Sequence, residues 1–221
     1  MIVDPAMPVA DIATRHPLAT RVFSRHGLDF CCGGHEPLAE TCVEKSLDLD
    51  QLMAELEVEL SSGDDTERRW DEATTPELIA HIISAYHEPL REELPRLEFM
   101  ARKVNRVHGD KDPAMFDGIL KTYLAIKADI SQHLDVEEQT LFPAILAGSN
   151  DGATMQEIER EHEDLGGLLR SLRSFAKDYV VPEEACNTWR GLLVGLEELE
   201  RATHRHIHLE NHVLHPRARL A

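Results

Sequence analysis

Histidine and glutamate recur four residues apart at two places in this chain: His133 and Glu137 in "HLDVEEQTLFP", and His206 and Glu210 in "HIHLENHVLHP". That spacing puts both side chains on one helix face, one turn apart. Both pairs stand among leucines and isoleucines, on faces that should be buried. A buried carboxylate without a partner costs on the order of several kcal/mol. Such a pair can do useful chemistry if the imidazole binds one metal ion while the carboxylate spans two. His87 in "YHEPLREELPRL" and His162 in "EREHEDLG" stand in comparable surroundings.

Four long helical patterns must position these residues: Thr75 to about His108, Pro113 to about Leu146, Thr154 to about Val181, and Pro182 to about Pro216. Alternating steps of three and four trace an inward stripe on each. The second runs Phe116, Ile119, Tyr123, Ile126, Ile130, His133, Glu137; the third includes Ile158, His162, Leu165 and Leu169. The fourth includes Leu196, Leu199, Thr203, His206 and Glu210, and the first Ile83, His87, Leu90 and Leu94. The breaks "HGDKDP", "AGSNDGA" and "VVP" are short, which favours an up-down-up-down four-helix bundle. The expected fold class is therefore all-α.

Depth along such a bundle can be compared. His87 is about 12 residues from the start of its helix, His133 about 14 from the end, His162 about 8 from the start and His206 about 10 from the end. At ~1.5 Å per residue these depths agree within about 10 Å, so the six residues can converge in one layer. His108, 21 residues beyond His87, belongs at the opposite end. His204, His208 and His212 form a second stripe that faces away from the inward one and reads as a solvated face. Four imidazoles and two carboxylates suit a pair of first-row metal ions, and cysteine is absent from the stripes, which argues against a closed zinc site.

The first sixty residues are punctuated closely by proline and glycine. "PVADIATRHP" and "PLATRVFSRHG" read as short helices, the second capped by Gly27, and "PLAETCVEKSLDLDQLMAELEVEL" as two more. "LDFCCGGHEP" is a loop. We expect a small helical N-terminal domain over 1–60, an acidic turn-rich linker over 61–74, and the bundle over 75–221.

A formal net charge of −18, with 41 acidic residues, disfavours nucleic acid and anionic membrane surfaces as partners. No apolar run approaches the ~18 residues of a membrane span, and no signal peptide is visible. Four cysteines, two of them adjacent, do not make a disulfide framework, and a reducing cytoplasm is the expected location.

"DFCCGG", "YHEPLREELPRL", "VHGDKD", "HLDVEEQTLFP", "EREHEDLG" and "HIHLENHVLHPR" together resemble the iron–sulfur cluster repair family, whose long domain is hemerythrin-like. The resemblance covers nearly the whole chain. It implies two iron ions per chain in an oxo- or hydroxo-bridged centre. The ligands would be His87, His133, His162 and His206, with Glu137 and Glu210 bridging, the set the stripes had already reached. It also implies damaged iron–sulfur proteins as partners, nitric oxide or oxygen as small ligands, and a role in repair through iron donation or nitric oxide reduction. Cys31 and Cys32 would be relay thiols on a glycine-rich loop, set against the plainer reading of a buried turn. Cys42 and Cys186 read as packing residues. Phe30 stands where tyrosine is frequent in the family, and His215 where phenylalanine is. Pro89, two residues after His87, should kink or loosen its helix beside a ligand. An oxygen- or nitric-oxide-sensing hemerythrin module is the alternative, and a ferritin-like iron store has too few matching carboxylates here. Whether the chain is a homodimer is left open.

Overall fold

The computed structural model describes residues 3–62, 68–149 and 152–220, and it is all-α. The short helices are α1 (Val9–Arg15), α2 (Ala19–Arg25), α3 (Leu38–Glu44) and α4 (Leu49–Ser62). The longer series is α5 (Thr75–Ile82), α6 (Glu88–His108), α7 (Pro113–Val136), α8 (Phe142–Leu146), α9 (Gly152–Phe175), α10 (Asn187–Leu209) and α11 (His215–Leu220). Of the linker expected over 61–74, residues 63–67 lie outside the described residues, as do 150 and 151 of "AGSNDGA". Trp70–Glu72 forms a 3-10 turn, and Thr74 then caps α5 by donating its amide and hydroxyl to Glu77.

Three helix joins are not breaks. Ile83–His87, Glu137–Leu141 and Glu210–Leu214 are π-helical turns that carry the chain from α5 into α6, α7 into α8 and α10 into α11. A proline stands at the second position of each following helix: Pro89, Pro143 and Pro216. Proline has no N–H to donate, and its ring clashes with the carbonyl four residues back. One extra residue in the preceding turn relieves that clash. The loosening expected at Pro89 is therefore a widened turn, and it recurs at two other prolines. Each widened turn contains a candidate ligand: His87, Glu137 or Glu210. This is the usual association of π turns with functional sites.

The chain divides into two compact units, 1–79 together with 204–221, and 80–203. The second unit holds α6, α7, α9 and α10 as far as Thr203. Its α7 packs on α6 and α9. The stripe residues Leu94, Leu97, Ile126, Ile130, Leu169 and Leu196 are buried there. Tyr123 is also buried and donates its hydroxyl to Leu94 O at 2.6 Å. His108 Nε2 lies 3.3 Å from Cys186 Sγ, and its ring stands 5.3 Å from that of Trp189. His108 thus takes no part in the His–Glu groups. Cys186 is exposed, so it is not the packing residue the sequence suggested, whereas Cys42 is buried.

In the first unit Val9, Ile12, Val22, Phe23, Leu38 and Leu56 form the core. The final segment, 204–221, packs into this compact unit. Hydrogen bonding shows why. The Arg217 guanidinium donates to Ala73 O at 2.6 Å and Asp71 O at 2.9 Å, and His208 Nδ1 donates to Phe30 O at 2.8 Å.

Candidate metal centre

Within the second unit, His87, His133, Glu137 and His162 are all buried. The inward stripe of α7 delivers His133, and the widened turn that follows it delivers Glu137. His162 comes from α9, and His87 from the end of the widened turn before α6. Glu137 Oε2 lies 3.4 Å from His87 Nε2 and 3.4 Å from His133 Nε2. His162 Nε2 is 3.0 Å from His133 Nε2.

The outer ring nitrogens determine what these inner ones are. His87 Nδ1 is 2.8 Å from Glu138 Oε1, and His133 Nδ1 is 3.0 Å from Glu161 Oε2. Glu161 is held below the usual carboxylate range chiefly by that hydrogen bond. Burial pushes Glu138 up, but bonds from Arg91 and His87 outweigh it and hold it below the usual range. Two ionised carboxylates only accept, so Nδ1 donates in both histidines. In a neutral imidazole the proton on Nδ1 leaves a lone pair on Nε2. When neutral, His87 and His133 therefore turn an Nε2 lone pair toward the Glu137 carboxylate, and the rings of His162 and His133 meet nitrogen to nitrogen. A metal ion among these atoms, or a proton on an imidazole, satisfies both sides. Buried imidazole nitrogens around a carboxylate are a nitrogen–oxygen donor set that suits iron, so the residues present fit the implied metal. His133, Glu137 and His162 each offer a ligand atom within 4.8 Å of one another, as do His87 and Glu137.

In the first unit, His206 and Glu210 are buried, with His206 Nε2 2.9 Å from Glu210 Oε1. The pair repeats the arrangement of His133 and Glu137: histidine in the last turn of a straight helix, glutamate opening a π turn.

Sequence reasoning did not single out Glu138 and Glu161. The available signal was an acid directly beside a candidate ligand, in "VEEQ" and "REHE". Carboxylates on the far nitrogen of a ligating histidine fix its tautomer and typically govern about 10- to 100-fold in metal affinity. Glu161→Gln and Glu138→Gln are accordingly expected to weaken iron binding by about that factor. Competition with a chromophoric chelator measures it, and unchanged affinity in both variants would show that these contacts do not orient the ligands.

The stripe of His204, His208 and His212 is not a solvated face. His208 is 3% exposed, and burial holds its imidazole down to about 4. The residues it meets are those of the Cys31–Cys32 loop. Cys31 is buried, and its thiol is pushed well up by the hydrogen bond to Cys32, by burial and by the charge of Asp29. Cys32 is less buried. No disulfide joins them, and the sulfurs are 3.6 Å apart.

An all-α chain with buried histidines and glutamates on widened helical turns is a cation-binding bundle of hemerythrin type. Residues 78–218 match the Hemerythrin HHE cation binding domain, and residues 6–59 match a Domain of Unknown function (DUF542). The chain is 40% identical over 212 residues to the iron-sulfur cluster repair protein YtfE of Dickeya chrysanthemi, covering 95% of each chain. It is 41% identical to the protein of that name from Pectobacterium atrosepticum over 95% of each chain, and to that from Yersinia pseudotuberculosis over 94% of each. The chain belongs to the hemerythrin-like iron–sulfur cluster repair family.

Proposed function

We propose that this chain holds two iron ions through His87, His133, His162 and His206, with Glu137 and Glu210 shared between the ions alongside an oxo or hydroxo bridge. We further propose that it restores iron–sulfur clusters damaged by nitric oxide or oxidants. The observation that carries the reading is the convergence of His87 Nε2 and His133 Nε2 on one oxygen of the buried Glu137 carboxylate, at 3.4 Å each. His87, His133, Glu137 and His162 of the second unit and His206 and Glu210 of the first are all buried. The relatives' shared name supports the repair role. Iron held this way supplies one-electron chemistry and coordination positions for nitric oxide or oxygen.

The chain's own residues supply the rest. Glu138 and Glu161 hold the protons of His87 and His133 on Nδ1, so their Nε2 atoms stay available. Leucine and isoleucine around the stripe exclude water, which strengthens every charge interaction inside. In this reading residues 1–60 present the thiol loop and the bundle residues of 75–221 supply the iron ligands. No helix among the described residues is long and apolar enough to cross a membrane. We propose damaged iron–sulfur proteins as this chain's partners, as the relatives' shared name suggests, and a reducing cytoplasm as its location.

The test loads the purified chain anaerobically with ferrous iron. Iron content and Mössbauer spectra are recorded, and the protein is then added to a nitric-oxide-treated iron–sulfur hydratase. We expect about two coupled irons per chain and recovery of hydratase activity beyond that given by equal free iron. A single uncoupled ion would overturn the centre. Recovery no better than free iron would overturn the repair role.

A further inference from the structure

Two features singled out in the sequence are not used by the iron centre: the Cys31–Cys32 pair and the stripe of His204, His208 and His212. They meet within the first unit. On one side of the loop the Asp29 carboxylate accepts from three backbone amides, Cys31 N and Cys32 N at 3.0 Å each and Gly33 N at 3.1 Å. On the other side the loop's carbonyls are taken by the helix. His208 Nδ1 donates to Phe30 O at 2.8 Å, Asn211 Nδ2 to Cys31 O at 2.9 Å, and His212 Nε2 to Cys31 O at 3.1 Å. A carbonyl can only accept, so the proton of His208 is on Nδ1 and that of His212 on Nε2. Gly34, at φ +71°, closes the loop against α1. A Cβ there would stand 3.0 Å from both Ala10 Cβ and Asp29 O.

The helix positions matter. His208 lies midway between His206 and Glu210, and Asn211 and His212 are the two residues after Glu210, inside the π turn that Glu210 opens. Neighbouring side chains on a widened turn diverge less in angle than on an α-helix, so both reach one carbonyl. Any displacement of this turn moves all three donors to the loop.

We propose that His208, Asn211 and His212 are positioning residues that couple the thiol loop to the metal-bearing turn. With iron fixing His206 and Glu210, the clasp stays closed: Cys31, only 4% exposed, is kept in reserve and Cys32 is the thiol that meets a reactant. Without iron the turn loosens, the clasp weakens and Cys31 becomes reachable. The coupling rests on the iron reading above, and by linkage it is reciprocal in the wild-type chain: a reagent that holds the loop open weakens iron binding by the same factor by which iron slows its reaction.

The experiment follows alkylation of the full chain by iodoacetamide, with Cys31 and Cys32 resolved by peptide mass spectrometry and iron measured on the same samples. In wild type, iron loading should slow alkylation of Cys31 roughly fivefold or more while Cys32 changes little, a coupling within the common allosteric range. Asn211→Ala/His212→Ala should abolish that protection while iron remains bound. His212→Gln, which keeps a donor, should restore part of it in the Asn211→Ala background. A merely structural role for these residues would not make Cys31 reactivity depend on iron. Bound iron with Cys31 alkylated equally fast in its presence and absence overturns the coupling alone. Full protection in the double variant overturns the assignment of the positioning residues. Failure of wild type to bind iron overturns the reading of the centre, and the coupling with it.

Discussion

Glu137→Ala empties the centre: bound iron is expected to fall roughly tenfold or more, beyond the effect of removing an outer carboxylate. Glu137 Oε2 stands 3.4 Å from the Nε2 atoms of both His87 and His133. It is the carboxylate member of the buried group in the second unit. Without it, neutral imidazoles must hold a doubly or triply charged ion with no charge from that side. Glu137→Gln keeps the volume and removes only the charge, so it should lose most of the iron as well. His108→Ala, beside Cys186 and Trp189, should keep it. Iron analysis after gel filtration, with circular dichroism to establish that each variant is folded, decides the matter. If Glu137→Gln retains full iron while folded, the carboxylate is not a ligand.

Iron removal should also cost stability on a scale set by its own binding. A ligand present at a thousand times its dissociation constant stabilises the native state by about 4 kcal/mol. For a chain of this size each kcal/mol moves the thermal midpoint by roughly 2–4 °C, so chelation should lower it by about 8–16 °C. The structural reason is the same convergence of His87 and His133 on Glu137. Without a cation, buried acceptors face one another and must either take up protons or separate. Anaerobic calorimetry on loaded and chelated samples measures the shift. Coincident midpoints would mean that the native fold does not hold the metal.

The helical frame was legible because its signals are local. Stripes of leucine and isoleucine at steps of three and four, Gly27 after α2 and Pro113 opening α7 each act within a few residues. The candidate ligands were legible for a related reason. A histidine four residues before a glutamate on an apolar face conflicts with its own surroundings, and His133/Glu137 and His206/Glu210 do so in the same way.

Other features were hidden because they depend on partners distant in sequence. Pro89 announced a loosened helix, but only the packed structure decided that the relief would be a π turn, repeated before Pro143 and Pro216 and carrying a candidate ligand each time. Glu138 and Glu161 look like ordinary surface acids until His87 and His133 point their Nδ1 atoms at them. His208 and His212 belong, with His204, to a stripe opposite the core face that periodicity reads as solvated, and Asn211 beside them carried no signal at all. Their partners are the carbonyls of Phe30 and Cys31, about 180 residues away. The same distance left the state of Cys31 open between a presented thiol and a buried turn, and donors from the last helices decide for the buried turn.

From its sequence alone this chain was determined to be helical, to bury histidines and glutamates at one-turn spacing, and to resemble the cluster-repair family. Each follows from residue type and spacing along the chain. The tertiary structure decided the acceptors that place the ring protons of His87, His133, His208 and His212, which thiol is covered, and that residues 204–221 pack with the N-terminal unit. Those outcomes depend on directional hydrogen bonds between remote segments, and hydrophobic periodicity carries no information about where a carbonyl or a carboxylate from elsewhere in the chain will point.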